Sequence, residues 1–129
     1  MTCTCGIKTP LIDYGSINGV EWHTHVAPLR GAVNGYFRVP ESHPMWGVDV
    51  FDLDNEYWTC LDGQLGGARE LTYSYPDELP EWFGFDTLHS CDHWPGDSRG
   101  QYMPGDVTWS PELVAEATQR WAEVIAAHV

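Results

Sequence analysis

The chain has 129 residues, and 19 Asp or Glu against 6 Lys or Arg give a formal net charge of -13 at pH 7. A chain of this length buries roughly two-thirds of its extended surface in one core, which argues against a second independent domain, and the charge argues against direct binding to DNA, RNA or anionic lipid. No apolar run approaches the roughly 20 residues of a membrane span, and the start MTCTCGIKTP has no leader pattern. The expectation is therefore a single compact cytoplasmic domain over residues 1–129, with residues 1–10 as a candidate flexible terminus.

The segment through Gly19 reads as a terminus followed by a turn. GVEWHTHVAPLR alternates apolar and polar residues and predicts a strand from Val20 to Val26 that ends near Pro28. NGYFRVP predicts a second strand, entered through a turn at Asn34-Gly35 and stopped by Pro40. Glu41 to Gly47 reads as a loop, Val48 to Asp54 as an extended stretch, YWTCL as a further strand and the glycines of DGQLGG as a sharp turn. RELTYSY, from Arg69 to Tyr75, places Leu71, Tyr73 and Tyr75 on one side of a strand. WFGF is a short extended segment that delivers Asp86 to its end, after which TLHSCDHWPGD turns back through Pro95-Gly96. SPELVAEATQRWAEVIAAHV is a helix with Ser110 as N-cap and Pro111 at its first position. Its apolar stripe is Leu113, Ala117, Trp121 and Val124, widened by Val114 and Ile125. A sheet of this size needs such a cover, so the expected fold class is α+β: a small mixed or antiparallel sheet with a packed C-terminal helix.

Donor side chains concentrate in WFGFDTLHSCDHWPGD. His89, Cys91 and His93 are competent zinc ligands, and Asp86, Asp92 or Asp97 can complete or orient such a set. In a regular strand the three stand too far apart at their backbones to clasp one ion, so a curved loop is required. No cofactor is assigned, and zinc is the metal these donors would take. In HTH, His23 and His25 place both imidazoles on one side of a strand, where hydrogen bonding or a polar surface is the favoured role. Cys3, Cys5, Cys60 and Cys91 admit three disulfide pairings, and a reducing compartment favours free thiols. The Cys3-x-Cys5 pair lacks the two-residue gap of a common zinc half-site. Without metal, Asp86 can orient His89 as a base toward Cys91, Ser90 or a bound substrate, which makes Asp86 and His89 the candidate catalytic residues. In RVPESHPMWG, Arg38 can recognise an anion, Glu41 and His43 can complement the later polar segment, and Trp46 can cover a planar ligand. Trp82 and Asp92 join them as candidate substrate-binding or partner-binding residues. No GxGxxG, Walker or HExxH pattern is present.

GYFRVPESHPMWG, followed by ELTYSYPDELPEWFGFDTLHSCD, resembles a family of small, mostly uncharacterised bacteriophage proteins. Their pattern runs through a GYV-like strand, a VPxGHP-like loop, an HGGLT-like segment and a WWxGFDxxHxxD-like segment. The matching residues are Gly35-Tyr36, Val39-Pro40, His43-Pro44, Leu71-Thr72, Trp82, Gly84-Phe85-Asp86, His89 and Asp92, over approximately residues 35–92. Ala68-Arg69-Glu70 stand where that pattern offers histidine and two glycines, and Phe83 where a second tryptophan is common. The resemblance implies a phage protein in the host cytoplasm that recognises a host factor or sequesters a small defence-related ligand. Between Arg38 and Arg99 the only basic residue is Arg69 against thirteen Asp or Glu, a field that can steer a basic partner. The leading expectation is a noncatalytic accessory protein that binds and modulates a host protein with a basic surface. The alternatives are a small metal-dependent hydrolase or ligand-sequestering protein using Asp86 and His89, and an acidic mimic of DNA.

Overall fold

The computed structural model describes residues 5–28, 31–52, 71–88, 92–95 and 107–127. Leu11–Ile17 (β1) and Val20–Val26 (β2) form an antiparallel hairpin, with Ile17 opposite Val20 across Asn18-Gly19. Both turn residues have positive φ, 50° and 88°. That conformation matches the twist of paired strands, and Asn-Gly adopts it most readily. β2 has the expected bounds, whereas β1 replaces the terminus expected there. β1 is an edge strand with exposed Ile12 and Tyr14, so it lacks the alternation that marks a half-buried strand.

Val33–Arg38 (β3) contains Asn34-Gly35 in its interior, not at an entering turn. Gly35 is there for close approach: a Cβ would land on the Thr118 hydroxyl and 2.7 Å from the Phe85 ring. Val48 to Asp54 is not extended where it is described. Val50–Asp52 is a 3-10 turn, closed by the Asp52 N–H donating to the Asp49 carbonyl at 2.9 Å and capped by the Phe51 N–H donating to Asp49 Oδ1 at 2.9 Å, a local side-chain bond that competes with strand pairing. YWTCL and DGQLGG lie outside the described residues. Tyr73–Tyr75 (β4) and Leu79–Phe85 (β5) complete, among the described residues, an antiparallel five-stranded sheet in the order β1-β2-β3-β5-β4. Asp92–His93 (β6) and Val107–Thr108 (β7) form a separate parallel pair.

Pro111–Ala127 (α1) covers β1, β2 and β3. Its entry is the expected one, with Ser110 Oγ accepting the Leu113 N–H at 3.2 Å. Of the expected stripe, Ala117, Trp121, Val124, Val114 and Ile125 are buried and only Leu113 is not, at 42% exposed; Ala115, Thr118 and Ala122 widen the buried face. Thr118, fully buried on this face, is a polar residue that a hydropathy reading passes over. The Thr118 hydroxyl is satisfied by donating to the Val114 carbonyl at 2.7 Å. Trp121 stacks on Phe37 at 5.3 Å between centroids, and Phe37 on Phe83 at 6.2 Å. Truncating such a ring to Ala typically costs about 3–5 kcal/mol. The fold is thus α+β in its antiparallel form. Among the described residues, no helix is long and apolar enough to cross a membrane.

Candidate metal centre

Alternation along β2 sends Trp22 to the core beneath α1 and His23 and His25 to the other face of the sheet. There the ring of Trp82 lies 4.9 Å from His23, Tyr36 lies 5.5 Å from His25, and Tyr73 lies 5.1 Å from Tyr36. Tyr36 is opposite Gly84 in register, and its ring occupies the space a Cβ of Gly84 would need. Residues 5–10 close over this aromatic floor. The Tyr73 hydroxyl donates to the Cys5 carbonyl at 2.9 Å, His25 Nδ1 is 3.0 Å from the Thr9 carbonyl, and the Val26 N–H donates to the Pro10 carbonyl at 3.0 Å. Gly6, at φ 81°, passes so close to Leu79 that a Cβ would stand 2.6 Å from its Cδ1. This path brings the fully buried Cys5 to the two histidines.

One donor atom from each of Cys5, His23 and His25 lies within 4.8 Å of the other two. Cys5 Sγ is 3.5 Å from His25 Nε2. With zinc bonds of about 2.3 Å to sulfur and about 2.0–2.1 Å to nitrogen, the N···S edge of a tetrahedral site is about 3.6 Å. The Cys5 Sγ to His25 Nε2 edge matches a zinc site and the other separations stay within 4.8 Å, so the cluster could hold an ion.

The histidines are also prepared for ligation. The Thr9 carbonyl can only accept, so it fixes the His25 proton on Nδ1 and puts the lone pair on Nε2, the nitrogen facing sulfur. His23 Nε2 is 3.3 Å from Glu21 Oε2, and Arg38 Nη1 is 3.6 Å from Glu21 Oε1. Burial holds the His23 pKa below the ordinary histidine value. Glu21 pulls it back up by charge and hydrogen bonding, and His25 pushes it down. The neutral imidazole so favoured is the form that binds metal. Trp82 Nε1 is buried without a hydrogen-bond partner. Cys5 is held in a disulfide, where free thiols were expected, and the other cysteines, Cys3, Cys60 and Cys91, lie outside the described residues. A disulfide sulfur carries no thiolate charge, so the set becomes a three-donor site only when that bond is reduced.

The residues singled out from sequence are placed differently. Arg38, Glu41 and Trp46 do come together, lining a surface hollow with Gly19, Val39, Pro40 and Glu81. His43 is buried, its Nδ1 accepting the Met45 N–H at 3.0 Å. Trp82 packs against His23 beside the candidate donor cluster. Asp86 follows β5, its N–H donating to Thr72 Oγ1 at 3.2 Å while the Thr72 hydroxyl donates to Asp86 Oδ1 at 3.4 Å. Phe85 pairs with Gly35 and Trp82 with Arg38, so Asp86 and Glu41 flank opposite ends of β3. His89 and Cys91 lie outside the described residues. The backbone of Asp92 is in β6, followed by the half-buried His93. Nearby bonds are structural: Trp94 Nε1 donates to the Thr87 carbonyl at 3.0 Å, the Thr87 hydroxyl to the Val33 carbonyl at 2.8 Å, and the Thr87 N–H to Asn34 Oδ1 at 3.2 Å. The His23 and His25 alternation is visible in sequence, but Cys5 as their companion carries no local signal.

Comparison with protein-family models, curated proteins and solved structures gave no match.

Proposed function

We propose that the protein is a metal-binding domain that takes zinc at Cys5, His23 and His25 when Cys5 is reduced. The observation that carries this reading is the 3.5 Å approach of Cys5 Sγ to His25 Nε2, with the Nδ1 proton of that histidine assigned to Thr9. A thiolate with two imidazoles suits zinc and not the oxygen-seeking magnesium or calcium. The buried Trp82 N–H lends support, because it lacks an acceptor beside His23 and a metal-bound water or anion is the kind of group that satisfies it. Three protein donors leave one position of a tetrahedral ion open, which keeps both ligand sequestration and metal-assisted hydrolysis within reach. Reduced protein dialysed against zinc should retain near-stoichiometric metal by elemental analysis, and His25→Ala should lose most of it. Reduced wild-type protein without zinc refutes the reading.

A second reading rests on Trp46, which is 36% exposed in the hollow it shares with Glu41, Glu81 and Arg38. We propose this face as the docking surface for a host protein with a basic surface, in keeping with the phage resemblance. Its carboxylates supply charge complementarity and the indole an anchor. Partner capture from host lysate should be abolished by Glu41→Lys combined with Trp46→Ala. Undiminished capture of the same partner by that variant excludes the surface.

A further inference from the structure

The sulfur of Cys5 has two incompatible assignments. It stands 3.5 Å from His25 Nε2 within the donor cluster, and it is half of a disulfide. Metal binding requires the thiolate, which the disulfide withholds, and a sulfur bound to zinc is withheld from disulfide formation in turn. We infer that this is a redox-gated zinc site, in which disulfide formation at Cys5 and zinc binding by Cys5, His23 and His25 exclude one another. The inference rests on the metal-binding reading above and specifies its control.

The exchange balances with a small dithiol as reductant. Its two thiols transfer two electrons and two protons to the protein disulfide, leaving two protein thiols and one cyclic small-molecule disulfide. Zinc then displaces the proton of the Cys5 thiol, which passes to solvent, and a Zn–S bond forms. In the reverse direction the cyclic disulfide accepts two electrons and two protons, one from the second protein thiol and one from solvent, while the Zn–S bond breaks, the protein S–S bond re-forms and the ion leaves.

The scaffold suits a local switch. His25 is oriented by the Thr9 carbonyl and His23 by Glu21, neither of which depends on the Cys5 sulfur. The Cys5 main chain is held by the Tyr73 hydroxyl at 2.9 Å. Opening the disulfide therefore changes the partner of the Cys5 sulfur while these contacts to the backbone and imidazoles persist.

Linkage gives the size of the effect. Free zinc at about 100 times its dissociation constant for the reduced protein favours thiol over disulfide about 100-fold, raising the midpoint potential by about 59 mV for two electrons. Wild-type protein is equilibrated in buffers of the dithiol and its cyclic disulfide, with and without buffered free zinc. Thiol content is read by alkylation and mass, and bound zinc by a chromophoric chelator. The expected result is near-stoichiometric zinc in reduced protein, less than a tenth of that in oxidised protein, and a midpoint displaced to more positive potential by zinc. Cys5→Ser should bind zinc weakly and equally under both conditions. Zinc retained by oxidised protein, or a midpoint unmoved by zinc that the reduced protein binds, overturns the gate while leaving the metal site standing. Reduced protein that takes no zinc removes both.

Discussion

Replacing Gly35 with Ala tests how closely α1 rides on β3. The added Cβ falls on Thr118 Oγ1 and lies 2.7 Å from both Cε1 and Cζ of Phe85. Neither neighbour can swing into solvent, because Thr118 is tied to the Val114 carbonyl and Phe85 is 1% exposed. Overpacking of this kind costs about 1–3 kcal/mol, and contacts on two fixed side chains place Gly35→Ala near the upper end. The lost flexibility of glycine returns about 0.5–1 kcal/mol, leaving a net destabilisation of about 2 kcal/mol. In urea unfolding with a slope of about 2 kcal/mol/M, the midpoint should fall by about 1 M at unchanged slope. Adding Thr118→Ala removes one of the two clashes, so a double-mutant cycle should show a favourable coupling of about 1 kcal/mol. Gly84→Ala is the contrasting case. Its Cβ would stand 2.8 Å from the Gly35 carbonyl oxygen, a backbone atom, and 2.9 Å from Tyr36 Cε1, so no single truncation relieves it. It should also displace the ring packed on His25 and weaken zinc binding, which Gly35→Ala should not. If Gly35→Ala stays within 0.5 kcal/mol of wild type, the direct passage of α1 over β3 is refuted.

Ser110→Ala deletes the oxygen that accepts the Leu113 N–H and should lower the urea midpoint by the equivalent of about 1 kcal/mol; an unchanged midpoint would show that water caps the helix equally well. Tyr36 has its pKa pushed up to about 12, chiefly by burial, with Asn34 opposing and Tyr73 and Asp86 adding to the rise. The folded value lies above the unfolded value of about 10, so this contribution is intact below pH 10 and lost as the pH rises toward 12, a change on the order of 2–3 kcal/mol. Urea midpoints of wild type should fall more steeply over that interval than those of Tyr36→Phe, and parallel curves would sink the assignment. Glu21→Gln removes the charge that orients His23 and should weaken zinc binding by about 10–100-fold in chelator competition. The half-exposed position of Glu21 should keep the accompanying stability change below about 1 kcal/mol, and unaltered zinc affinity would exclude the orienting role.

Elements set by local chemistry were legible in the sequence. The bounds of β2 follow from alternation, the start of α1 from Ser110-Pro111, and the end of β3 from Pro40. The two Asn-Gly pairs show where local chemistry ends. Asn18-Gly19 turns the chain with positive φ, while Asn34-Gly35 runs straight through a strand because α1 requires a residue without a side chain there. Which pair turns is decided by packing, and neither dipeptide encodes it. The candidate donor cluster divides in the same way. Alternation puts His23 and His25 on one face, but Cys5 arrives because its carbonyl accepts from Tyr73 while the carbonyls of Thr9 and Pro10 bond His25 and Val26. WFGFDTLHSCDHWPGD attracts attention by its density of donors, yet the bonds described there tie Trp94 to Thr87 and Thr87 to β3. Density along a chain is not convergence in space.

The segment over the open face also constrains the order in which the molecule assembles. Cys5 is anchored by a tyrosine 68 positions later in the chain, on the strand at the far end of the sheet. Its resting surface, made by Tyr36, Tyr73, Leu79 and Trp82, comes into being only after β3, β5 and β4 have paired. Residues 5–10 therefore leave the ribosome before the strands they cover and dock after them. Closing so long a loop is entropically unfavourable until the aromatic floor exists to reward it, which makes completion of the donor cluster a late event in folding.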